Sequence, residues 1–578
     1  MINAIMNTKT KIVSTLGPER RIYDLHNNLG PATVPYDEMI SWMFEAGVDV
    51  FRLNMSHRSR DGERERRFAD SYRMVRYLWE SQKKQVAILG DLQGPKIRLG
   101  TFFDDPDAEI AIRPGGHFVL HTNREVRGDE SQASVFYDDQ LLGHQAERVT
   151  SGTRIWLGDG EALLEVKDIS PDGALSCFVH SGGTIKSRRG VTFKGVSFDL
   201  ETFTQKDRDD LTFLMSVFGA DLSYVAVSFV RTAEDILKIK CFVAEQYQKI
   251  LGEADAAARL PGIIAKIETK QAVAGIEEIL DVVDGIMIAR GDLGMQLELE
   301  DLAGLQKRII HLCNVRGKSV ITATQMLDSM ERNPIPTRAE VTDVYNAIFD
   351  GTDAVMLSGE TSKGPYPIQA IRTMRAIAAR AEADYFQLTN AEDRFLTLLR
   401  EAETTFPSLQ RRITEKMEEY SRSGARCFFR EYERLSSLLK TQQTTDRVSH
   451  AACNLAIGIG APVIMAPTSS GQTAQMVARF RPMSAIVGVT HSDFVARRLT
   501  LAFGVYPINI LSGYGSNEEI FQKACNLAKN IQLQRNDAII GAEINVPLIS
   551  VGDMIVITAG YPLDQPGTTN LVKLHKVA

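Results

Sequence analysis

The chain has 578 residues and a mass of 64.1 kDa, so it is too long for one hydrophobic core and we expect roughly three or four domains. Its composition, 44% hydrophobic and 24% charged, is that of an ordinary globular protein. The formal net charge of -7 and the isoelectric point near 5.9 argue against nucleic acid as a partner, because phosphate backbones select basic faces. Apolar stretches stay shorter than the roughly 20 residues of a membrane helix, so we expect a cytoplasmic protein without a membrane partner.

Eight short apolar runs, separated by helical patterns, predict an α/β protein with a closed barrel. The runs span residues 11–17, 48–57, 85–94, 224–229, 262–268, 285–292, 319–326 and 354–360. They are continuous rather than alternating, as expected of parallel strands that are buried on both faces. Eight strands that alternate with helices favour a (β/α)8 TIM barrel over an open sheet, and we assign residues 1–99 and 190–375 to it.

The stretch between the third and fourth runs has a different pattern. Residues 100–189 hold short strand-like pieces separated by the turn sequences PGG, GDG, PDG and SGG. Such frequent turns are typical of a small all-β domain. Because this stretch interrupts the barrel after its third strand, we expect an inserted lid domain at one end of the barrel.

Two further segments follow the barrel. Residues 384–447 are polar and rich in charge, and they predict a solvated helical excursion whose apolar stripe is thin. Residues 448–578 return to alternating strands and helices, which predicts a C-terminal doubly wound α/β domain. The strand-like runs of this domain are 462–467, 484–490, 506–511 and 554–560.

Polar side chains stand at the ends of four successive barrel runs, and they are Lys266, Glu268, Asp292, Thr324 and Glu360. The strand ends of a βα barrel meet at one rim, so these side chains should converge, and this convergence predicts an enzyme. Glu268 and Asp292 offer the hard oxygens that suit Mg²⁺, with Mn²⁺ as an alternative metal. Lys266 lies two residues before Glu268, so both point inward, and the ammonium can hold a phosphoryl group. A structural ion pair explains any single carboxylate, but charges at several adjacent strand ends are costly to bury unless they bind a ligand.

A second group of residues suited to phosphate and cations lies in RLNMSH (52–57) and DLQGPKIR (91–98), and its members are Arg52, Asn54, Ser56, Asp91, Lys96 and Arg98. A guanidinium group offers paired donors to phosphate oxygens. The oxygens of Asn54, Ser56 and Asp91 can enclose a cation. His57 receives no chemical role, because a lone histidine is more often a structural group.

These motifs carry a resemblance to a known family. Further motifs that carry this resemblance are IIAKIETKQAV (263–273), DGIMIARGDLG (284–294), ITATQMLDSM (321–330), PTRAEVTDV (336–344) and LSGETSKGPYP (357–367). With them the chain resembles the pyruvate kinase family, which transfers a phosphoryl group from phosphoenolpyruvate to ADP and releases pyruvate and ATP. The match covers the barrel, the inserted domain and the C-terminal domain, and it fails mainly between about residues 384 and 447.

The resemblance implies a Mg²⁺-dependent phosphotransferase of glycolysis that is allosterically regulated by a phosphorylated metabolite and assembles as a homotetramer. In that family pattern Glu268 and Asp292 bind the metal. The implied catalytic residues, which neutralise the phosphoryl group or deliver a proton to the enolate, are Arg52, Lys266, Thr324, Ser358 and Glu360. The implied substrate contacts, some of them backbone amides at a helix start, are Arg52, Lys266, Ala289, Arg290, Gly291, Asp292 and Thr324. The implied nucleotide contacts are Asn54, Arg98, Asp159 and Arg189.

One departure from the family pattern concerns monovalent cations, whose region here is Asn54, Ser56, Asp91 and Lys96. Many members of the family have Glu where this chain has Lys96, and those members resemble K⁺-requiring enzymes. An ammonium near Asp91 can supply the positive charge that a bound K⁺ would bring. We therefore expect activity without added K⁺.

The C-terminal sequence PTSSGQTAQMVARFRP (467–482) has a Ser/Thr/Gly loop that leads into a helix, which suits anions. In the family the matching loop binds a regulatory sugar phosphate or nucleotide monophosphate. Thr468, Ser470 and Thr473 keep the hydroxyl groups, but Gln472 stands where an Arg is frequent, so a monophosphate effector is favoured. An ordinary helix cap explains the same residues almost as well.

Two other classes of function stay open. A metal-dependent carbon–carbon lyase or mutase acting on phosphoenolpyruvate or pyruvate would also place Glu and Asp on Mg²⁺. A barrel without catalysis would sense metabolites through its C-terminal domain. Lys266 with Thr324 and a nucleotide-covering lid favour the kinase over the lyase, and the complete set of rim residues argues against the sensor.

Overall fold

Eight parallel strands close into a barrel in the computed structural model of this protein. They are β1 (Lys11–Thr15), β2 (Val50–Asn54), β3 (Ala87–Asp91), β4 (Tyr224–Val227), β5 (Gly262–Ile267), β6 (Gly285–Ala289), β7 (Ser319–Ala323) and β8 (Ala354–Leu357). Each strand pairs with the next in chain order and β8 pairs with β1, so the predicted barrel is confirmed.

The structure describes the chain except for residues 1–4, 7, 18–20, 25–28, 57–61, 83, 138–139, 197, 253–258, 389–390, 425, 511–516, 531, 538–541 and 561–568. His57, which received no role above, lies outside the described residues.

The barrel interior explains why the strand sequences are apolar throughout. Along β5, Ile264 packs inside the barrel, whereas Ile263 and Ala265 belong to the outer core that the barrel strands share with the helices. Leu501 of the C-terminal domain joins the inner cluster. Lys11, at the start of β1, donates to the backbone oxygen of Val505 over 2.8 Å. The C-terminal domain therefore docks at the amino-terminal end of the barrel and leaves the carboxyl rim to the lid.

Helices surround the barrel and form most of its connections. Their bounds are Tyr36–Glu45, Glu63–Gln82, Gln205–Phe218, Ala233–Leu251, Lys270–Ala274, Ile276–Val282, Arg290–Gln296, Leu299–Arg316, Arg338–Phe349, Gly359–Ser362 and Pro367–Leu388. Thr204, Thr232 and Thr337 each begin a helix with a reciprocal capping box, which satisfies amides that the first turn leaves unpaired. In the part of the chain that the structure describes, no helix is long and apolar enough to cross a membrane.

The inserted segment is an all-β unit with a core of its own. Its strands are Ile97–Leu99, Glu109–Ala111, His117–His121, Gln132–Tyr137, Gln140–Leu141, Arg154–Leu157, Ala162–Ile169, Leu175–Ser181, Thr184–Lys186 and Val191–Phe193. Buried side chains such as Phe118 and Leu164 pack together separately from the barrel core. A Cβ on Gly160 would lie 3.4 Å from Met295, and Lys194 pairs with Glu298 over 2.8 Å, so the insert lies over the carboxyl rim.

The C-terminal domain is built on a five-stranded sheet. Its strands are β9 (Val463–Pro467), β10 (Ala485–Thr490), β11 (Val505–Asn509), β12 (Met554–Ala559) and β13 (Leu571–Lys576). The order is β11-β10-β9-β12-β13, with β13 antiparallel to β12. The helices of this domain are Gln472–Ala478, Asp493–Leu499 and Asn517–Ala528. β13 was not predicted from the sequence, because its LVKLHK pattern belongs to a half-exposed edge strand rather than to a buried one.

Short strands lie at two other places. Ile5–Met6 pairs with Gln532–Asp537, which pairs in turn with Ala542–Pro547. Arg21–Asp24 pairs with Leu29–Thr33.

The charge-rich segment after the barrel forms two long paired helices, Ala391–Ser423 and Arg426–Gly458, which we call the helical hairpin. The sequence analysis expected a thin apolar stripe in solvent. Instead, a buried stripe at helical spacing joins the main core, and its members include Phe395, Leu398, Ala402, Leu409 and Ile413. Arg412 also pairs with Glu277 and Asp281 of the barrel helices, each over 3.0 Å. The high charge of the exposed faces hid this stripe in the average composition.

Candidate active site

Lys266 lies where three neighbouring strand ends meet at the carboxyl rim of the barrel. Its ammonium lies 2.9 Å from Glu268 Oε1 and 3.3 Å from Asp91 Oδ1. It also donates to the Ser228 hydroxyl over 2.8 Å. Asp91 ends β3, Ser228 follows β4 and Glu268 follows β5. The parallel strands therefore deliver one cation and two carboxylates to a single point.

Two neighbouring carboxylates keep the Lys266 ammonium protonated. Its side chain is 12% exposed, and those of Asp91 and Glu268 are 1% exposed. Burial opposes protonation, but Asp91 and Glu268 together raise the pKa of Lys266 above its usual value. Burial also opposes the ionisation of Asp91, yet Lys266 and Arg52 hold the pKa of Asp91 below its usual value. Lys266 is therefore a permanent cation at the rim.

Two buried oxygens beside Lys266 lack a well-aligned hydrogen bond. Glu268 Oε2 accepts from the Phe229 amide over 2.6 Å, but Glu268 Oε1 and Asp91 Oδ1 face Lys266 only as ion pairs. Burial raises the pKa of Glu268, Lys266 offsets part of that rise, and the charge of Asp292 adds to it. Buried, incompletely satisfied carboxylate oxygens are costly, and hard oxygens are the ligands that Mg²⁺ prefers. Glu268 and Asp292 therefore fit the predicted metal.

Asp292 lies in the first turn of the helix Arg290–Gln296, which begins directly after β6. Its side chain is 34% exposed, and Lys96 Nζ lies 3.5 Å from its Oδ1. The sequence analysis expected Lys96 to act beside Asp91, whereas the ion pair that forms is with Asp292. In the described ranges, no group of three or more His, Cys, Asp and Glu side chains is arranged to hold a metal ion. Mg²⁺ commonly binds through one or two carboxylates together with substrate phosphate.

The helix start after Ala289 supplies backbone amides, and one of them is engaged within the protein. The Gly291 amide donates to Thr324 Oγ1 over 2.8 Å. The Arg290 side chain does not face the rim, because it donates to Thr324 O and to Asp343 Oδ1, each over 2.7 Å. Arg290 therefore fixes the loop after β7 through its side chain, and only its backbone is available as a predicted substrate contact.

Thr324 has a strained backbone conformation. Its φ angle is +68°, which β-branched residues seldom adopt, and φ of Gln325 is also positive at +54°. The Thr324 hydroxyl donates to the backbone oxygen of Ala323 over 2.6 Å. Backbone strain persists only where the surroundings impose it, and it clusters at functional sites. The strain here turns the Thr324 hydroxyl toward the start of the helix Arg290–Gln296.

Glu360 is a buried carboxyl group behind Thr324. Its side chain accepts from the Ser358 amide over 2.6 Å and from the Leu327 amide over 3.1 Å. The residue is 2% exposed, and burial raises the pKa of Glu360 although these hydrogen bonds oppose the rise. Glu360 therefore holds a proton more readily than an exposed carboxyl group does, which suits a proton donor.

Arg52 connects the second predicted group of residues, to which it belongs, with the group around Lys266. Its Nε donates to Asp91 Oδ2 over 2.6 Å, and its NH1 donates to Thr15 Oγ1 over 2.8 Å. Asn54 ends β2, and its side-chain oxygen accepts from the Ser56 amide over 3.0 Å. The oxygens of the predicted monovalent-cation region thus lie on adjacent strand ends.

The lid brings two of the predicted nucleotide contacts together. Arg189 lies 3.3 Å from Asp159, in the turn between two lid strands, and it also pairs with Glu161. Arg98 donates to the backbone oxygen of Arg188 over 3.2 Å. Asp159 is 75% exposed and faces the rim, where its charge acts on Glu331.

Sequence reasoning missed three residues around this site: Ser228, Glu161 and Glu331. Ser228 directly follows the strand predicted at 224–229, so its position at a strand end was the available signal. Glu161 lies two residues beyond Asp159 across a tight turn. Glu331 sits in the motif region after Thr324, but its sequence gives no sign that it turns back toward Gly359.

The predicted effector loop precedes the helix Gln472–Ala478. The Thr468 hydroxyl accepts from the Gly471 amide over 2.9 Å, and the Ser470 hydroxyl accepts from the Gln472 amide over 3.4 Å. The buried Thr473 hydroxyl bonds that of Thr569 over 2.9 Å. The Thr468 and Ser470 hydroxyl groups therefore bond within the loop, while Gly471, the N-cap of the helix, makes no side-chain capping bond.

A closed parallel barrel with a lid over its carboxyl rim and a buried lysine between two carboxylates is the architecture of a βα-barrel enzyme. Two family models match the chain. "Pyruvate kinase, barrel domain" matches residues 7–371, and "Pyruvate kinase, alpha/beta domain" matches residues 446–575. Most of the helical hairpin lies between the two matched regions.

Individual proteins agree with the family models. A pyruvate kinase of Geobacillus stearothermophilus is 36% identical over 99% of this chain and 81% of its own length. Pyruvate kinase 2 of Synechocystis is 35% identical over 98% of this chain and 79% of its own length. A crystal structure of a pyruvate kinase from Cryptosporidium parvum superposes with a TM-score of 0.76 at 26% identity, over 99% of this chain and 97% of that one. The chain belongs to the pyruvate kinase family, and it is a phosphotransferase of glycolysis.

Proposed function

We propose that Lys266, Glu268 and Asp292 form the centre at which this enzyme moves the phosphoryl group of phosphoenolpyruvate to ADP, giving pyruvate and ATP. The observation that carries this proposal is the buried ammonium of Lys266 between Asp91 and Glu268 at the barrel rim. Phosphoryl transfer depends on positioning and charge neutralisation, and a permanent cation in a water-poor site supplies both.

Members of this family generally use Mg²⁺ together with K⁺. Glu268 and Asp292 would hold Mg²⁺ or Mn²⁺, and the bound metal would neutralise charge on the carboxylate and phosphate oxygens of the substrate. The partly unsatisfied Glu268 Oε1 supports this assignment.

Lys266 and Arg52 would hold the phosphoryl oxygens while the bond to the enolate oxygen breaks. The backbone amides between Ala289 and Asp292 would receive the substrate carboxylate, because a helix start favours anions. The leaving enolate then takes a proton at its methylene carbon and becomes pyruvate, which makes the transfer strongly downhill. Positioned cations and amides thus replace water around a developing charge.

Thr324, Ser358 and Glu360 would deliver that proton. Glu360 would be the source of the proton, since burial raises the pKa of its carboxyl group and it lies behind the loop that holds Thr324. The Thr324 hydroxyl, turned by its strained backbone, would guide the proton through ordered water to the carbon. This arrangement is general acid catalysis by a buried carboxyl group.

The nucleotide would bind between the rim and the lid, at Asn54, Arg98, Asp159 and Arg189. We propose residues 1–99 and 190–375 as the catalytic unit, 100–189 as the lid, 384–447 as an insertion and 448–578 as a regulatory unit. The strands Ile97–Leu99 and Val191–Phe193, just outside 100–189, pair with lid strands and extend the lid at both borders. Closure of the lid would exclude the water that competes for the phosphoryl group. The ion pair of Arg189 with Asp159 supports a shared role for these two residues.

We propose that the enzyme works without added K⁺, although Asn54, Ser56 and Asp91 are present. The Lys96 ammonium, 3.5 Å from Asp292, would supply positive charge at the rim in place of a bound monovalent ion, although its partner is Asp292 and not Asp91. Turnover in Na⁺ and K⁺ salts should therefore be equal. A steep K⁺ requirement would sink this idea.

We also propose how the enzyme is regulated and how it assembles. A nucleotide or sugar monophosphate would bind at Thr468, Ser470, Gln472 and Thr473, and the enzyme would be a cytoplasmic homotetramer. Activity measured against a series of sugar phosphates and nucleotide monophosphates tests the effector. Because the loop hydroxyl groups are already engaged, an absence of any response would favour the helix-cap explanation.

The direct test of the function is pyruvate formation from phosphoenolpyruvate, ADP and Mg²⁺ by the purified chain. ADP-dependent release of pyruvate with matching ATP is the expected result. Carbon–carbon cleavage or rearrangement of phosphoenolpyruvate without ADP would favour the lyase or mutase. Metabolite binding without turnover would favour the sensor.

A further inference from the structure

Glu331 lies unexpectedly close to the proton-delivering end of the rim. It ends the short 3-10 helix Asp328–Glu331, which follows the loop after β7. A Cβ placed on Gly359 would overlap the Glu331 carboxyl oxygen Oε1. Only glycine leaves that space open, so the carboxylate rests against the backbone between Ser358 and Glu360. The Glu331 carboxylate therefore contacts the residue that directly precedes Glu360.

The Glu331 carboxylate has no structural duty of its own. Among the residues that the structure describes, no hydrogen bond or ion pair engages it. Its neighbour Glu340 provides a contrast, because that carboxylate accepts from the Ser329 amide over 2.7 Å and from the Thr337 amide over 2.7 Å. A half-buried carboxylate without partners is costly in a purely structural position. Glu331 is partly exposed, so its carboxylate can exchange protons with solvent.

The charged groups around Glu331 and Glu360 affect the pKa values of both carboxyl groups. The charged groups that act on Glu331 are Asp328 and Arg332 on its own segment, Lys363 after the helix Gly359–Ser362, and Asp159 of the lid. Burial raises the pKa of Glu331, and Asp328 and Asp159 add to that rise while Lys363 opposes it. The charge that acts on Glu360 in turn is Glu331, which raises the pKa of Glu360 beyond the effect of burial. Asp159 of the lid therefore acts on Glu331, which in turn acts on Glu360 at the rim.

We propose that Glu331 is a positioning residue for the proton step: resting against Gly359, it keeps Glu360 protonated and returns a proton to it from the cleft after each turnover. This inference rests on the proposed role of Glu360. The electron pair of the enolate C=C bond takes a proton at the methylene carbon, and the C–O bond becomes the carbonyl. The O–H bond of Glu360 breaks, directly or through water. A proton from solvent then passes through the Glu331 carboxylate to the Glu360 carboxylate, so that Glu331 is again an anion and Glu360 is again protonated.

The test compares Glu331→Gln with Asp328→Asn across pH, using the full-length enzyme. Replacing Glu331 removes a negative charge beside Glu360, so Glu360 loses its proton at lower pH and the alkaline limb of the kcat profile shifts to lower pH. We expect a shift on the order of half to one pH unit, with KM for phosphoenolpyruvate nearly unchanged. The shift should be absent from Asp328→Asn, which alters a more distant charge.

Two further readouts separate a relay from a packing effect. At alkaline pH, small carboxylic acids or imidazole in the buffer should partly restore turnover in Glu331→Gln, and the solvent deuterium isotope effect on kcat should rise. Glu331→Asp, which keeps a carboxyl group, should lie nearer to wild type. Should Glu331→Gln fail to fold, Gly359→Ala displaces the carboxylate and should show the same shift and rescue.

A kcat profile of Glu331→Gln that coincides with wild type, or an equal shift in Asp328→Asn, would overturn the inference. The wild-type enzyme keeps the two proposals apart. If wild type forms pyruvate and the kcat profile of Glu331→Gln is not shifted, only the role of Glu331 is rejected. No pyruvate formation by wild type sinks the proposed function itself.

Discussion

The two ends of the barrel both bury charge, but they pair it differently. At the amino-terminal end, Asp353 Oδ1 accepts from Arg481 over 2.7 Å and from the Phe503 amide over 3.1 Å. Its other oxygen accepts from the Val320 amide over 2.9 Å. At the carboxyl rim, one carboxylate oxygen of Glu268 accepts a hydrogen bond from the Phe229 amide. The other oxygen has only the ion pair with the Lys266 ammonium.

This difference separates a structural carboxylate from one that awaits a ligand. Arg481 and Phe503 belong to the C-terminal domain, so the saturated Asp353 fixes that domain to the barrel. The incompletely satisfied Glu268 costs stability and remains available to a cation. Substitutions at the two ends should therefore separate activity from stability.

The largest effect should follow Lys266→Met at the rim. This change removes the cation that holds the phosphoryl group, so we expect kcat for pyruvate formation to fall at least about a thousandfold. Circular dichroism should still show a folded protein. Lys307→Met, which removes a lysine that is 56% exposed, serves as the matched control and should keep activity. Near-normal turnover of Lys266→Met would refute the role of Lys266.

At the amino-terminal end, Asp353→Asn should act on stability instead. It leaves the buried Arg481 guanidinium without its counter-charge, and breaking such a pair costs about 3–5 kcal/mol. Calorimetry should show a lower unfolding temperature, while kcat per folded enzyme stays close to wild type. Asp70→Asn, in the exposed pair with Arg73, should leave the unfolding temperature unchanged. If Asp353→Asn loses turnover but keeps its stability, the claim that Asp353 has a structural role and not a catalytic one is wrong.

A smaller effect should follow Lys96→Glu, which sharpens the description of the rim. Reversing the charge beside Asp292 should create a need for K⁺, so turnover in Na⁺ should fall about tenfold below turnover in K⁺. Lys186→Glu, on an exposed part of the lid, should leave the two salts equivalent. If Lys96→Glu also works equally in both salts, Lys96 does not substitute for the ion.

The barrel and the order of its rim residues could be predicted from sequence because both depend on local patterns. Strands such as β5 are buried on both faces, so their apolar runs are continuous, and the polar residues that end them stand out. Lys266 and Glu268 alternate along one strand, which fixes their shared direction. The C-terminal sheet was predicted for the same reason, except for its half-exposed edge strand β13.

Contacts between distant segments could not be predicted in this way. The partner of Lys96 depends on where the chain leaves β3 for the lid, and the approach of Glu331 to Gly359 depends on how two loops pack. The buried stripe of the helical hairpin was hidden by the charges between its apolar residues. The sequence predicted a backbone role for Arg290 and gave no sign that its side chain would donate to the backbone oxygen of Thr324.

The most direct test of the central claim is metal binding by the enzyme without substrates, measured by titration with Mn²⁺. If Glu268 holds the metal at the rim, Glu268→Gln should bind Mn²⁺ at least about tenfold more weakly than wild type. Glu277→Gln, on the outer barrel surface, should bind it as wild type does. Equal affinity in Glu268→Gln and wild type would contradict the account.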